Sequence, residues 1–163
     1  MPLVSPHATW RQAFLELARD HARAGEDRYQ LARRDFRAYL RQLAARAHRG
    51  AHGRLAQQEL WFEHEGALVG TIRIRPRLPP DLRDRIGHIG YTIGPSQRGR
   101  GLGTRMLGLG LVEARAHGLA EVCLTVEPDN ASSIRVIERN GGRWDGQPAQ
   151  PRLRYWIGQP VSP

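Results

Sequence analysis

The 163 residues contain no lysine and one cysteine, and each shortage excludes something. Cys123 alone rules out an intramolecular disulfide and any cysteine-based metal framework of the finger or ribbon type, so it reads as a small buried hydrophobe. Without lysine, all 25 basic side chains are arginine, and the accompanying abundance of alanine and glycine suggests a coding bias as much as a selected field. No apolar run approaches the roughly 18 residues that a bilayer span requires. Met1-Pro2-Leu3-Val4-Ser5-Pro6 also lacks a basic stretch followed by an apolar core. The expectation is a cytoplasmic protein with no membrane partner. Neither Gly-x-Gly-x-x-Gly nor Gly-Lys-Ser/Thr occurs, so the dinucleotide fingerprint and the P-loop are both excluded.

What is present fits one compact domain over residues 1–163, with an ordinary 40% apolar fraction and charges scattered rather than blocked. The net charge of +9 would suit a phosphate backbone, but the arginines are not clustered. The aromatics sit at core-like spacings instead of interleaving with arginine on one face, so nucleic acid is disfavoured. A positive field that draws a small anionic ligand into a cleft fits better.

Along the chain, Trp10, Phe14, Leu17 and Ala18 fall at helical spacing from Thr9 to His21, with Thr9 placed to cap and Gln12 three residues on. Phe36, Tyr39, Leu40 and Leu43 define a second amphipathic helix from Asp35, stopped by Gly50. Residues Leu60 to Ile74 read as a hairpin around a glycine-containing turn. Pro76, Pro79 and Pro80 predict an exposed loop to Asp84. A strand His88–Ile93, a helix Gly101–His117 and a strand Glu121–Val126 then form a β-α-β unit, which implies parallel strands joined by a crossover. A helix Ala131–Arg139 ends at Gly141-Gly142, and Leu153–Ile157 is a last strand.

Between the first strand of that unit and its helix lies Gly94-Pro95-Ser96-Gln97-Arg98-Gly99-Arg100-Gly101-Leu102-Gly103-Thr104. Glycines let such a turn approach a ligand closely, and free N–H groups at a helix start attract a diphosphate. Arg98-x-x-Gly101-x-Gly103, preceded by Ile93-x-Pro95, resembles the acetyl-CoA signature of the GNAT superfamily of N-acetyltransferases. Asn130-Ala131-Ser132-Ser133-Ile134-Arg135-Val136-Ile137-Glu138-Arg139-Asn140-Gly141-Gly142 resembles the second motif of that family, so the likeness covers about Gly87 to Gly142.

The resemblance implies an α/β fold: a splayed mixed β-sheet flanked by helices, with two helices before the first hairpin. Coenzyme would enter where the strands ending at Ile93 and Val126 diverge. By the same resemblance, Ile93 offers backbone groups to pantetheine. Arg98, Gly99, Arg100, Gly101, Leu102, Gly103 and Thr104 cradle the diphosphate, while Asn130 and Ser133 meet the coenzyme arm. Asn130 reads equally as an ordinary helix cap.

Acyl transfer needs a neutral amine, an oxyanion stabiliser and a proton source for the leaving thiolate. Many members of the family use a tyrosine for the last; its position here corresponds to Ile137, which has no proton to give. The remaining candidates are His88, whose ordinary pKa suits a proton relay, Tyr91 on the same strand, Glu63 on the hairpin and Glu127 after the second strand. His88 and Ile93 have opposite strand parity, so a catalytic His88 requires a bulge. Arg73 and Arg75 share a sheet face, where they either lie at the surface or meet an acidic substrate.

The expected activity is acetyl transfer from acetyl-CoA to a primary amine, without a metal, on an amine-bearing small molecule or protein. A homodimer is left open. The rival expectation is a non-catalytic acetyl-CoA-binding or sensor domain.

Overall fold

The computed structural model describes residues 2–47, 56–79, 82, 85–149 and 151–158. Strand β1 (Leu3–Val4) leads into a 3-10 turn, Ala8–Trp10, and helix α1 (Arg11–Arg23). The turn is capped by His7, whose Nδ1 accepts the Thr9 N–H at 3.3 Å, so the cap lies two residues before the expected Thr9. Helices α2 (Gln30–Arg34) and α3 (Phe36–Ala47) follow, and Asp35 Oδ1 accepts the Ala38 N–H at 2.9 Å to start α3. Gly50, the expected stop of α3, lies outside the described residues.

The hairpin forms as β2 (Gln58–His64) and β3 (Ala67–Ile74), and β4 (Ile89–Ile93) completes an antiparallel sheet in the order β1-β2-β3-β4. After a second 3-10 turn, Pro95–Gln97, come α4 (Leu102–Ala116), β5 (Glu121–Val126) and α5 (Ala131–Arg139). Strands β6 (Arg143–Ala149) and β7 (Arg152–Gly158) then join β5 in a second antiparallel sheet ordered β5-β7-β6. Of the proline-bearing loop, residues 80, 81, 83 and 84 lie outside the description. Leu78 within it is 7% exposed, so at that point the loop tucks inward instead of projecting.

Strand alternation divides the first sheet between two cores. Leu60, Phe62, Ile72 and Ile74 face α4, where Met106 and Leu107 are fully buried. Trp61 faces the other way and packs with Phe14, Tyr29, Phe36 and Tyr39 from the N-terminal helices. The Phe14 and Trp61 ring centroids are 4.3 Å apart.

The strands of the β-α-β unit form no ladder with each other among the described residues, in line with the divergence that the resemblance implies. Strands β4 and β5 belong to different sheets and splay apart. They meet at one end, where the His88 N–H donates to the Cys123 carbonyl (2.7 Å) and the Cys123 N–H donates to His88 Nδ1 (2.9 Å). A Cβ on Gly87 would lie 2.7 Å from the Cys123 carbonyl oxygen, and Gly87 has φ +60, so only glycine lets the strands approach this closely. The sheets therefore form a V, closed at His88 and open beyond Ile93 and Val126.

Candidate active site

The open end of the V is a cleft of about 600 Å³. One wall is β4. The bonds Arg75 N–H to His88 O (2.8 Å) and Gly94 N–H to Val69 O (2.9 Å) flank its ladder with β3. Antiparallel alternation then turns the backbone groups of Gly90 and Thr92 toward β3, and those of Ile89, Tyr91 and Ile93 toward the gap. Strand β4 runs in unbroken register from Ile89 to Ile93. The Ile93 carbonyl takes Arg98 Nε at 3.2 Å, which leaves its N–H and the Tyr91 amide groups as the gap-facing main chain.

The mouth is the glycine turn. Gly99 and Gly101 have φ +78 and +76, a left-handed conformation that a side chain makes costly, and a Cβ at either would meet no protein atom within 4 Å. These glycines therefore answer to backbone shape and open space in front of the turn, not to packing. Gly103 differs, since its Cβ would press on Val136 at 3.3 Å, which makes it a contact between α4 and α5. Helix α4 begins at Leu102, and Arg105 is the first residue whose N–H reaches a helical carbonyl, that of Gly101 at 3.3 Å. The N–H groups of Leu102, Gly103 and Thr104 precede that ladder at the positive end of the helix dipole. Shape and donor set fit a diphosphate.

The arginines of the turn are exposed, and each is bonded to a protein side chain. Arg100 donates to Gln97 and does not line the cleft. Arg98 lines it, yet its guanidinium also donates to Glu26 Oε1 at 2.7 Å. Glu26 in turn meets His21 Nδ1 (2.8 Å) and Arg28 Nε (3.4 Å). Burial works against the Glu26 carboxylate, but hydrogen bonds from Arg98 and His21 outweigh it and hold its pKa at about 2. Burial pushes His21, which is 0% exposed, below its usual value against the pull of Glu26. Asp20 Oδ2 accepts both the N–H and the hydroxyl of Ser96 at 3.0 Å. The end of α1 and its following turn thus clamp the glycine turn through two carboxylates.

The other wall is α5. Asn130 caps it, accepting the Ser133 N–H at 3.1 Å and the Ser132 hydroxyl at 3.0 Å, while also lining the cleft. Arg135 and Arg139, one helical turn apart, line the cleft as well. Tyr91 lies between the walls with its hydroxyl donating to the Ser133 carbonyl at 3.4 Å. Burial outweighs that bond and raises the Tyr91 phenol to about 12, so it carries its proton at neutral pH.

The structure brings Tyr91, Ile93, Arg98, Gly99, Gly101, Leu102, Gly103, Thr104, Asn130 and Ser133 together on the cleft. It does not bring the other acid–base candidates there. His88 is 8% exposed and bonded into the closed end of the V, because no bulge in β4 turns it toward the gap. Glu63 accepts the Gly66 N–H at 2.6 Å and closes the β2–β3 turn. Glu127 pairs with Arg152 at 2.6 Å. Ile137 is 1% exposed and belongs to the core. Sequence reading missed Glu26, Arg28, Gln97, Arg135 and Arg139. Only the last pair had a local signal, a four-residue spacing on a helix already assigned to the site.

Among the described residues no cluster of three or more histidine, cysteine, aspartate or glutamate side chains is arranged to hold a metal. None of the helices there is long and apolar enough to cross a membrane.

A V opened between two strands, with a glycine-rich helix start at its mouth, defines a protein with a cleft for an extended ligand that carries a diphosphate. The chain belongs to the Acetyltransferase (GNAT) family, which its sequence matches over residues 12–142. Mycothiol acetyltransferase of Saccharopolyspora erythraea is 34% identical over 106 residues, covering 56% of this chain and 32% of that protein. The mycothiol acetyltransferase of Geodermatophilus obscurus is 29% identical over 130 residues, covering 73% of this chain and 42% of its own length. The chain thus spans less than half the length of these curated relatives. Among solved structures, Mycobacterium smegmatis RimJ in complex with CoA-disulfide superposes with a TM-score of 0.71 at 21% identity, over 96% of this chain and 85% of that one. The microcin C7 self-immunity acetyltransferase MccE, in complex with acetyl-CoA and AMP, gives 0.71 at 13% identity, over 96% and 91%. At these identities the likeness is one of fold.

Proposed function

We propose that residues 1–163 form one N-acetyltransferase domain that moves an acetyl group from acetyl-CoA to a primary amine. The observation that carries this reading is the turn from Gly99 to Thr104, whose left-handed glycines face open space while three helix N–H groups precede the α4 ladder. The diphosphate would lie on that turn, pantetheine along the gap-facing amides of Tyr91 and Ile93, and Arg135 and Arg139 would add positive charge at the rim. Arg98 supports the turn from behind rather than gripping phosphate.

In the reaction the neutral amine attacks the thioester carbonyl, the C–N bond forms, the C–S bond breaks, and the thiolate needs a proton. Tyr91 is the one cleft tyrosine and is protonated at neutral pH, so we assign it the general-acid role in place of the tyrosine missing at Ile137. His88, Glu63 and Glu127 are given structural work instead.

The test is calorimetric binding of acetyl-CoA, followed by free-thiol release across a panel of amines. Absence of coenzyme binding in folded protein would refute the reading. The core position of Ile137 favours one alternative, a non-catalytic coenzyme sensor, which predicts binding without thiol release on every amine.

A further inference from the structure

On the sheet face turned toward the N-terminal helices, Arg73 and Arg75 converge over Gly90. A Cβ there would lie 3.6 Å from Arg73 Nη2 and 3.6 Å from Arg75 Nη1, so the missing side chain is what lets both guanidinium groups settle onto β4. Arg75 is 8% exposed and, among the described residues, donates to the Ile86 and Gly87 carbonyls, at 3.4 and 3.3 Å. Arg73 is half-buried, and its buried Nε has no hydrogen-bond partner among the described residues. No ion pair neutralises either arginine among those residues. Burial, and then the charge of Arg73, lower Arg75 to about 10, which leaves it charged at neutral pH. Two adjacent cations without a salt-bridge partner among the described residues repel each other, and an arriving anion relieves that repulsion.

A second cavity of about 140 Å³ opens beside them, lined in part by Arg28, Arg46, Arg73, Tyr29, Tyr39 and Glu59. Three arginines and one carboxylate line it; Arg28 already pairs with Glu26 (3.4 Å), and Glu59, opposite Arg73 in the ladder, accepts through Oε1 from the Tyr39 hydroxyl (2.8 Å) and Trp61 Nε1 (3.1 Å). Arg28 lines this cavity and the coenzyme cleft alike. Thr92, which follows Gly90 on the same face of β4, also lines the cleft.

We propose that this cavity is the acceptor pocket and that the acceptor amine carries an anionic group, a carboxylate or a phosphate, seated on Arg73, with Arg75 adding positive charge from behind it on the same sheet face. The amine then reaches past Thr92 and Arg28 toward the thioester. This rests on the coenzyme reading above.

The experiment titrates coenzyme A-saturated protein with inorganic phosphate and, separately, with acetate by calorimetry, using wild type and Arg73→Gln. Saturable binding of one anion, weakened about tenfold or more in Arg73→Gln, is expected, and which anion binds tells carboxylate from phosphate. Arg73 Nε has no hydrogen-bond partner among the described residues and Arg73 does not line the coenzyme cleft, so its substitution is expected to change the melting temperature and the coenzyme affinity little. Matched amines extend the test: phosphoethanolamine against ethanolamine, and β-alanine against its amide. The anionic member of a pair is expected to react with the higher kcat/KM. In Arg73→Gln its KM rises about tenfold while the neutral amine is unaffected, and Arg73→Lys restores part of the preference. Coenzyme binding combined with anion binding that ignores Arg73, or an equal response to charged and neutral amines, overturns the proposal alone. Failure of coenzyme A to bind overturns the coenzyme reading and this one with it.

Discussion

At the scale of single residues, the proposed acid step is tested at Tyr91 and the proposed coenzyme cradle at Gly101. If the Tyr91 hydroxyl protonates the leaving thiolate, Tyr91→Phe lowers kcat by about 10²-fold or more while coenzyme affinity and melting temperature change little. Steady-state kinetics beside a thermal melt read both quantities. Since the phenol is held up at about 12, the wild-type rate between pH 6 and 9 follows deprotonation of the acceptor amine and not of Tyr91. Gly101 makes the complementary case for binding. Gly101→Val forces a branched side chain into a left-handed backbone and into the space in front of the turn, so coenzyme affinity falls by more than about tenfold. Calorimetry on the folded variant measures this, and an unchanged Kd would remove the turn from the site.

Helix α1 and the turn after it are the element whose role the sequence concealed. Its apolar stripe was plain from Phe14, Leu17 and Ala18. Nothing local, however, announced that Asp20 and Glu26 would reach Ser96 and Arg98, more than seventy residues away. The clamp makes stability depend on acid in a defined order. In the unfolded chain His21 takes up a proton near pH 6.5, whereas the folded ring resists it, so stability falls as pH drops below that value. Glu26 is depressed from 4.5 to about 2, so its contribution is full above pH 4.5 and is lost as pH falls toward 2. Urea unfolding should therefore show a large deficit for Glu26→Gln at pH 7 that narrows below pH 4.5. Helix α2 and strand β6 were not legible for simpler reasons. Helix α2 has five residues, too few to display a period. Strand β6 carries Gly146 and Pro148 across a register shift at an edge, which erases alternation.

For the whole molecule, the decisive feature is that two sheets meet at one end and part at the other. His88 and Gly87 hold the closed end, so His88→Ala takes from the buried Cys123 N–H the acceptor it has there. A loss of about 1–3 kcal/mol is expected from that. The folded fraction should keep its kcat and the acidic limb of its pH–rate profile, which a general base could not do. Differential scanning calorimetry beside the pH–rate profile separates the two roles. Gly87→Ala is expected to be worse, because the Cβ must displace backbone of β5 and not a mobile side chain.

The sequence by itself determined the family likeness, the placement of the glycine turn at a helix start, and most elements whose apolar period was long enough to read. The strand β5 and the helix α5 fall where the spacing put them. Those features depend on neighbours within a few residues, where backbone conformation and periodicity act. Tertiary structure alone decided that Arg98 turns back to Glu26, and that His88 closes the V while Tyr91 enters the cleft. Each of these is a contact between segments tens of residues apart in the chain, and local propensity carries no information about which distant donor will meet which acceptor.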